Sequence, residues 1–264
     1  MQIASLADIR THFEVRGPAT GPTVLFINSL GTDFRLWDRV VARLPAHLRL
    51  IRYDKRGHGL TTAPGGAYFM GDLVQDAGRL LDHLEARDVV VVGLSIGGMI
   101  AQGLAAERLD RVRALVMSNT AAKIGTTEMW DERVATVRRD GIEPLADGTM
   151  ERWFGRRFRE SEPLVVEAFR NMMTRQPVDG YAGCAAAIGE TDLYESTAAL
   201  KLPTLGIAGS EDGSTPPDMV RETTELVAGS RFHLVRGSGH LPCVDNPDEY
   251  TRVLTTFLHE IGHL

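Results

Sequence analysis

The fold is decided by residues 89–100, Val89-Val90-Val91-Val92-Gly93-Leu94-Ser95-Ile96-Gly97-Gly98-Met99-Ile100. Four consecutive valines are too few for a helix and strongly favour β structure, so they predict a buried strand. The apolar spacing from Met99 onward predicts a helix that begins directly after the turn. Between strand and helix lies the G-x-S-x-G spacing, in which the flanking glycines allow a serine to occupy a sharp turn. Ser95 is therefore the candidate nucleophile.

Further apolar runs bounded by turn residues lie on both sides of this stretch. They predict strands at 24–27, 48–53, 112–117, 204–208 and 232–235, and helical periodicity predicts helices at 34–44, 71–86, 96–108, 217–227 and 247–261. Strands that alternate with helices predict an α/β fold with a mostly parallel central sheet flanked by helices. Residues 3–15 predict an antiparallel hairpin at the sheet edge.

The alternation of strands and helices stops between residues 121 and 199. Helix-like segments that contain tryptophan and arginine, such as 129–139 and 150–158, fill this interval, and the alternation resumes at Leu202. We therefore expect one core formed by residues 1–120 and 200–264, with residues 121–199 inserted as a helical cap.

The composition excludes several classes of protein. The chain has 264 residues, of which 43% are apolar and 24% charged, as in a globular protein with one large domain and an insertion. Its net charge of −6 gives no reason to expect a nucleic-acid or acidic-membrane partner. No apolar run reaches the roughly 18 residues of a membrane span. The N-terminus lacks the apolar region of a signal peptide, which predicts a cytoplasmic protein.

The cysteines and histidines indicate neither a disulfide framework nor a metal site. Cys184 and Cys243 are the only cysteines and form no C-x-x-C pair, which fits a reducing compartment. No two histidines or cysteines lie at helical ligand spacing beside an acid. We expect no metal and no cofactor, and the sequence does not fix the oligomeric state.

A serine hydroxyl needs an adjacent base, which is itself oriented by a carboxylate. His240 is the candidate base, because it lies in a glycine-rich loop directly after the strand-like run 232–235. His58 is the rival, although its segment 54–59 reads more easily as a tight turn beside the site. Asp212, after the predicted strand 204–208, is the candidate acid, and the spacing does not exclude the adjacent Glu211.

The tetrahedral intermediate of acyl transfer needs backbone N–H donors. In a strand-turn-helix site these come from the residue after the nucleophile and from the loop after an early strand. Ile96 follows Ser95, and Leu30 lies in the small-polar loop 28–32 that follows the predicted strand 24–27. Leu30 and Ile96 are therefore the candidate oxyanion-hole residues.

Four segments resemble the α/β-hydrolase superfamily, and the resemblance covers essentially the whole chain. They are Gly93-x-Ser95-x-Gly97, Asp54-x-Arg56-Gly57-His58-Gly59, Gly209-x-x-Asp212 and Gly239-His240. Within the superfamily the chain most resembles the 3-oxoadipate enol-lactonases. The strings that carry this closer resemblance are Ile27-Asn28-Ser29-Leu30-Gly31-Thr32, Gly93-Leu94-Ser95-Ile96-Gly97-Gly98, Ser118-Asn119-Thr120-Ala121-Ala122-Lys123-Ile124-Gly125 and Glu151-Arg152-Trp153-Phe154. Asn28-Ser29 departs from the His-Gly of many superfamily members and is similar to the enol-lactonase pattern.

The resemblance implies hydrolysis of 3-oxoadipate enol-lactone to 3-oxoadipate in bacterial aromatic catabolism, the β-ketoadipate pathway. The lactone carries a carboxylate side arm, so the pocket should present a cation. Arg133, one turn after Trp130 on the same predicted helix face, is our candidate, with Lys123 and the pair Arg152 and Arg156 as alternatives. Trp130 and Trp153 are candidate pocket walls.

Two other classes of function stay open at the level of sequence. One is another carboxylic-ester hydrolase, a carbon–carbon bond hydrolase or a cofactor-free perhydrolase on the same core, because the triad fixes a reaction class and the cap fixes the substrate. The other is a non-enzymatic small-molecule receptor, against which the complete set of Ser95, Asp212 and His240 argues. A serine at position 95 also argues against the haloalkane dehalogenases, which resemble this chain but use an aspartate nucleophile.

Overall fold

The computed structural model describes residues 1–264 and contains one eight-stranded sheet, with strand order β1-β2-β4-β3-β5-β6-β7-β8. The strands are β1 (Gln2–Leu6), β2 (Ile9–Arg16), β3 (Thr23–Ile27), β4 (Arg49–Tyr53), β5 (Val89–Leu94), β6 (Val112–Ser118), β7 (Thr204–Gly209) and β8 (Arg231–Val235). The first two strands form an antiparallel hairpin that pairs with β4, and all the remaining pairs are parallel. The predicted α/β fold with a mostly parallel sheet is confirmed.

Twelve α-helices cover the sheet and fill the interval between β6 and β7. They are α1 (Asp38–Val41), α2 (Met70–His83), α3 (Ile96–Glu107), α4 (Thr127–Asp140), α5 (Ala146–Trp153), α6 (Arg156–Ser161), α7 (Pro163–Thr174), α8 (Val178–Gly189), α9 (Tyr194–Ala198), α10 (Pro217–Glu225), α11 (Pro242–Asp245) and α12 (Pro247–Glu260). Two 3₁₀ turns, Phe34–Trp37 and Glu143–Leu145, complete the set. Helices α4 to α9 all lie within the interval 121–199, whose boundaries as a cap we retain as a proposal.

Two predicted helices differ from the observed ones. The helix predicted at 34–44 is a 3₁₀ turn followed by the single-turn α1, because the Asp33 carboxylate accepts the Arg35 N–H at 3.0 Å and caps a tight first turn. The helix-like segment 150–158 is divided at residues 154 and 155. A Cβ at Gly155 would lie 2.1 Å from the carbonyl oxygen of Gly237, so the backbone there packs directly against the loop before His240.

The core lies on both faces of the central strands. All residues of β3, β5 and β7 are buried, as a parallel sheet covered on both faces requires. This burial supplies a rigid base for the loops at the carboxyl ends of the strands, where open α/β sheets place their sites. None of the helices combines the length and the apolar character that a membrane crossing requires.

Candidate active site

Ser95 occupies the turn between β5 and α3 in a strained backbone conformation, with φ 60° and ψ −123°. Two glycines make the turn sterically possible. A Cβ at Gly93 would lie 2.1 Å from the carbonyl oxygen of Gly97, and a Cβ at Gly97 would lie 2.2 Å from that of Ile27. The Ser95 N–H donates to the carbonyl oxygen of Ser118 at 3.0 Å. Strain of this kind is maintained where it positions a reactive side chain.

His240 and Asp212 form a buried pair. The distance from His240 Nδ1 to Asp212 Oδ2 is 2.8 Å, and both side chains are almost fully buried. Because Nδ1 faces the carboxylate, Nε2 is the ring nitrogen left for another partner. Ser95 and His240 line the same cavity. The structure thus brings together the three residues that the sequence suggested as nucleophile, base and acid.

Further donors hold the Asp212 carboxylate. Asn119 Nδ2 donates to Oδ2 at 2.8 Å, Thr215 Oγ1 donates to Oδ2 at 2.7 Å, and the Ser214 N–H donates to Oδ1 at 2.7 Å. Burial raises the pKa of Asp212, but the His240 ring and these hydrogen bonds outweigh it, so the pKa lies below its usual value. The carboxylate is therefore charged, as a group that orients and stabilises an imidazolium must be.

The adjacent Glu211 has a different partner. Its Oε2 accepts the backbone N–H of Arg156 at 2.7 Å, which ties the β7 loop to the start of α6. The geometry therefore supports Asp212 rather than Glu211 as the partner of His240.

The end of α5 holds the loop that carries His240. The backbone N–H of His240 donates to the carbonyl oxygen of Arg152 at 3.3 Å, and that of Leu241 donates to Trp153 at 3.0 Å. The Gly239 N–H donates to Asp245 Oδ2 at 2.8 Å. The first two bonds satisfy carbonyls that the end of α5 leaves free, and they couple the base to the helical insertion.

A cavity of about 290 Å³ opens on Ser95 and His240. The insertion contributes Trp130, Arg133, Trp153, Tyr181 and Arg152 to its wall, and the core contributes Ser29, Leu30 and Thr215. The three insertion residues named from the sequence, Trp130, Arg133 and Trp153, thus all lie at the cavity. A larger groove of about 760 Å³, between the 3₁₀ turn Phe34–Trp37 and α7, contains none of the three candidate catalytic residues.

Two arginines of the cavity have no carboxylate partner. The Arg133 guanidinium lies 5.1 Å from the centre of the Trp130 ring, and Arg152 Nη2 donates to Thr149 Oγ1 at 3.0 Å. Neither makes an ion pair, although most arginines of the chain do. Burial and the nearby Arg133 charge both lower the pKa of Arg152, which stays protonated at neutral pH. An anion that enters the cavity would meet two uncompensated cations.

Of the alternative cations, Arg152 lines the cavity, and Lys123 and Arg156 lie elsewhere. Lys123 is exposed and pairs with Asp192 at 3.2 Å, and Arg156 is exposed and pairs with Glu160 at 3.0 Å. Neither lines the cavity.

Leu30 and Ile96, the candidate oxyanion donors, are both buried at this end of the sheet. Leu30 lines the cavity, and its N–H makes no hydrogen bond within the protein. Ile96 is the first residue of α3, so its N–H has no carbonyl in the preceding turn of the helix.

The rival histidine, His58, does not line the cavity. It lies beneath the Leu30 loop, where its Nε2 accepts the Gly31 N–H at 2.9 Å.

Sequence reasoning missed the roles of Asn119, Tyr181 and Thr215. Asn119 stands directly after the buried β6, a position from which polar side chains reach sites in parallel sheets, and that signal was available. Thr215 stands two residues before α10, so its position in the sequence indicates only the start of a helix. Tyr181 belongs to α8, and its neighbours in the sequence do not indicate that it lines the cavity.

No cluster of three or more metal-ligating side chains exists in the structure.

A comparison with protein families identifies the fold. The family model of the alpha/beta hydrolase fold matches residues 22–247. The chain belongs to the α/β-hydrolase family. Its predicted resemblance to enol-lactonases is also confirmed. The 3-oxoadipate enol-lactonase 2 of Acinetobacter baylyi is 32% identical over 247 residues, which cover 94% of this chain and 92% of that protein.

Solved structures of α/β hydrolases agree with this result. The enol-lactonase from Burkholderia xenovorans LB400 superimposes with a TM-score of 0.94 at 34% identity, over 98% of this chain and 100% of that one. A thermophilic esterase from Thermogutta terrifontis, with malate bound, gives a TM-score of 0.93 at 27% identity, over 99% of each chain. These relatives place the chain among hydrolases.

Proposed function

We propose that this α/β hydrolase opens 3-oxoadipate enol-lactone with water to give 3-oxoadipate, as a step of bacterial aromatic catabolism. The observation that carries the proposal is the cavity itself. Ser95 and His240 line it together with Arg133 and Arg152, two arginines without carboxylate partners. The lactone has an ester carbonyl for the serine and a carboxylate arm for the arginines. The names of the relatives support the same substrate.

The first half of the reaction opens the ring. Ser95 Oγ attacks the lactone carbonyl carbon, and its proton passes to His240 Nε2 while Asp212 stabilises the imidazolium. The oxyanion accepts hydrogen bonds from the Leu30 and Ile96 amides. When the carbonyl re-forms, the bond to the ring oxygen breaks, and His240 returns the proton to the enol oxygen. The enol then tautomerises to the ketone.

The second half releases the acyl group from Ser95. His240 takes a proton from water, and the hydroxide formed attacks the acyl carbon. Collapse of the tetrahedral intermediate breaks the bond to Ser95 Oγ, which regains its proton from His240. The product leaves as a dicarboxylate, with one carboxylate more than the substrate.

Turnover of the lactone tests the proposal. The loss of lactone absorbance is followed with purified protein, with Ser95→Ala and with Ser5→Ala, a substitution at an exposed serine of β1. We expect fast lactone loss for the wild type and Ser5→Ala, and the blank rate for Ser95→Ala. A panel of aryl esters is measured in parallel. Lactone decay at the blank rate together with rapid ester cleavage would reject the enol-lactone and leave a general carboxylic-ester hydrolase.

The arginines test the recognition of the carboxylate. Removal of a charge-assisted hydrogen bond by Arg133→Met should raise KM for the lactone about 10- to 100-fold and leave KM for an uncharged aryl ester within about twofold. Arg138→Met, at an exposed position of the same helix, is the matched control. Equal effects of Arg133→Met on both substrates would contradict the assignment.

A further inference from the structure

Lys55 is a buried lysine without a carboxylate partner. It lies in the turn after β4, is 1% exposed, and makes no ion pair within 4.0 Å. Burial lowers the pKa of its ammonium to about 8, so the group is still protonated at neutral pH. A buried charge without a direct ion pair is costly, and its presence calls for a specific role.

The hydrogen bonds of Lys55 point to the loop that carries Leu30. Its Nζ donates to the carbonyl oxygen of Ser29 at 2.6 Å and to that of Thr32 at 3.4 Å. Lys55 does not line the cavity, whereas Ser29 and Leu30 both do. The ammonium therefore contacts the loop from within the protein and not from the cavity.

The Ser29 carbonyl and the Leu30 N–H belong to one peptide group. The chain has no cis peptide bonds, so this group is trans, and its oxygen and its N–H point in opposite directions. A donor that holds the Ser29 oxygen on the protein side therefore turns the Leu30 N–H to the other side. The Leu30 N–H has no partner within the protein.

Neutral hydrogen-bond donors also hold the loop that carries Leu30, but Lys55 is the charged one. Thr32 Oγ1 donates to the same Ser29 oxygen at 2.9 Å, and Asn28 Nδ2 donates to the Thr32 oxygen at 3.0 Å. Lys55 adds a full positive charge in a region shielded from water. Such a charge on a carbonyl oxygen polarises the peptide and strengthens its N–H as a donor.

We propose that Lys55 is a positioning residue of the oxyanion hole, which directs the Leu30 N–H at the developing oxyanion through the Ser29 carbonyl and strengthens it as a donor. The proposal rests on the proposed Ser95 chemistry but not on the identity of the lactone. Lys55 touches no reacting atom, so its effect should appear in the transition state and not in substrate binding.

Lys55→Met tests this directly, because methionine is unbranched, only one atom shorter than lysine, and uncharged. With both the lactone and p-nitrophenyl acetate, kcat should fall about 10- to 100-fold while KM stays within about threefold. A boronic acid that forms a tetrahedral adduct on Ser95 should lose affinity by the same factor as kcat. The product 3-oxoadipate, which mimics no oxyanion, should inhibit as before. Lys201→Met, at an exposed lysine, is the control.

A second variant separates positioning from folding. Lys55→Gln keeps a neutral donor and should recover part of the kcat lost in Lys55→Met, with circular dichroism and thermal unfolding recorded for both variants. An unchanged ratio of boronate to product affinity in both variants would overturn the proposal, whatever happens to stability. A wild type that cleaves the ester but not the lactone would reject the proposed substrate and still permit the Lys55 test. A wild type inactive on both substrates would reject the proposed function itself.

Discussion

Asn119 is the residue whose side chain connects the sheet to the acid of the site. It follows β6 with φ +46°, a left-handed conformation that asparagine tolerates better than most residues. Its amide donates to Asp212 and, at 3.4 Å, to the carbonyl oxygen of Gly239. One buried side chain thus holds both the carboxylate and the loop that carries His240.

Replacement of Asn119 by glycine removes these donors and tolerates the left-handed backbone. We expect kcat to fall about tenfold with little change in KM, because Asp212 loses a hydrogen bond that orients it. The pKa of Asp212 should rise toward its usual value, since one of the donors that lower it is gone. The pH dependence of kcat/KM measures both effects. An Asn119→Gly protein with wild-type kcat would show that Thr215 and the backbone amides suffice.

Lys55 also predicts a pH dependence of stability. The pKa of Lys55 is about 8 in the folded protein, whereas an ordinary lysine has a pKa of 10.5. Between these two pH values the unfolded chain therefore binds more protons than the folded one. The free energy of unfolding contributed by Lys55 therefore rises with pH across this window, by about 3 kcal/mol at 1.36 kcal/mol per pKa unit. The titratable groups that face Lys55 are present in both the wild type and Lys55→Met. They are Asp33, Asp54, Cys184 and His58.

Urea unfolding of wild type and Lys55→Met at pH 7 to 10.5 isolates this contribution. The stability of wild type relative to Lys55→Met should increase as the pH rises. A difference that is constant with pH would mean that Lys55 is not buried in its charged form.

At the scale of elements, the insertion meets the core through a contact between two glycines. Gly57 lies in the turn after β4 with φ +74°, and Gly180 lies in α8. A Cβ at Gly180 would lie 2.0 Å from the carbonyl oxygen of Gly57, so the two backbones touch without side chains between them. The next residue, Tyr181, lines the cavity, and the contact therefore sets the position of a cavity wall.

Gly180→Ala should push α8 away from the core. Overpacking against a backbone costs about 1 to 3 kcal/mol, which lowers Tm by about 3 to 10 °C in a chain of this size. KM for the lactone should rise because Tyr181 moves with the helix. Gly71→Ala is the control, since nothing lies within 4 Å of its added Cβ. A Gly180→Ala protein with unchanged Tm and KM would contradict this account of the contact.

The elements differ in how far the sequence predicts them. The four valines at 89–92 predict β5 because valine favours β structure and because four apolar residues in a row indicate a fully buried strand. The break between α5 and α6 is invisible in the sequence, because it arises from the contact of Gly155 with Gly237, which lies far along the chain. The same limit applies within the site. Ser95 and His240 stand in recognisable turns, whereas Tyr181 and Lys55 acquire their positions only through tertiary packing.

At the scale of the whole molecule, the sheet and the helical insertion contribute different parts of the chemistry. The carboxyl ends of β5, β6 and β7 lead into Ser95, Asn119 and the Asp212 loop, to which we assign the type of reaction. The interval between β6 and β7 contributes arginines and aromatic walls to the cavity, to which we assign the selection of the substrate. This division explains why the reaction class can be inferred from turns in the sequence, while the substrate requires the assembled cavity.

The mass of the covalent intermediate on Ser95 tests the nucleophile and the lactone substrate in one measurement. In a lactone the leaving oxygen stays attached to the acyl group, so ring opening adds the entire substrate to the enzyme. Rapid acid quenching followed by peptide mass spectrometry should find the peptide containing Ser95 heavier by the full mass of the lactone. The adduct should be absent in Ser95→Ala. Rapid enzymatic loss of lactone without this adduct, or with the adduct on another residue, would contradict the account.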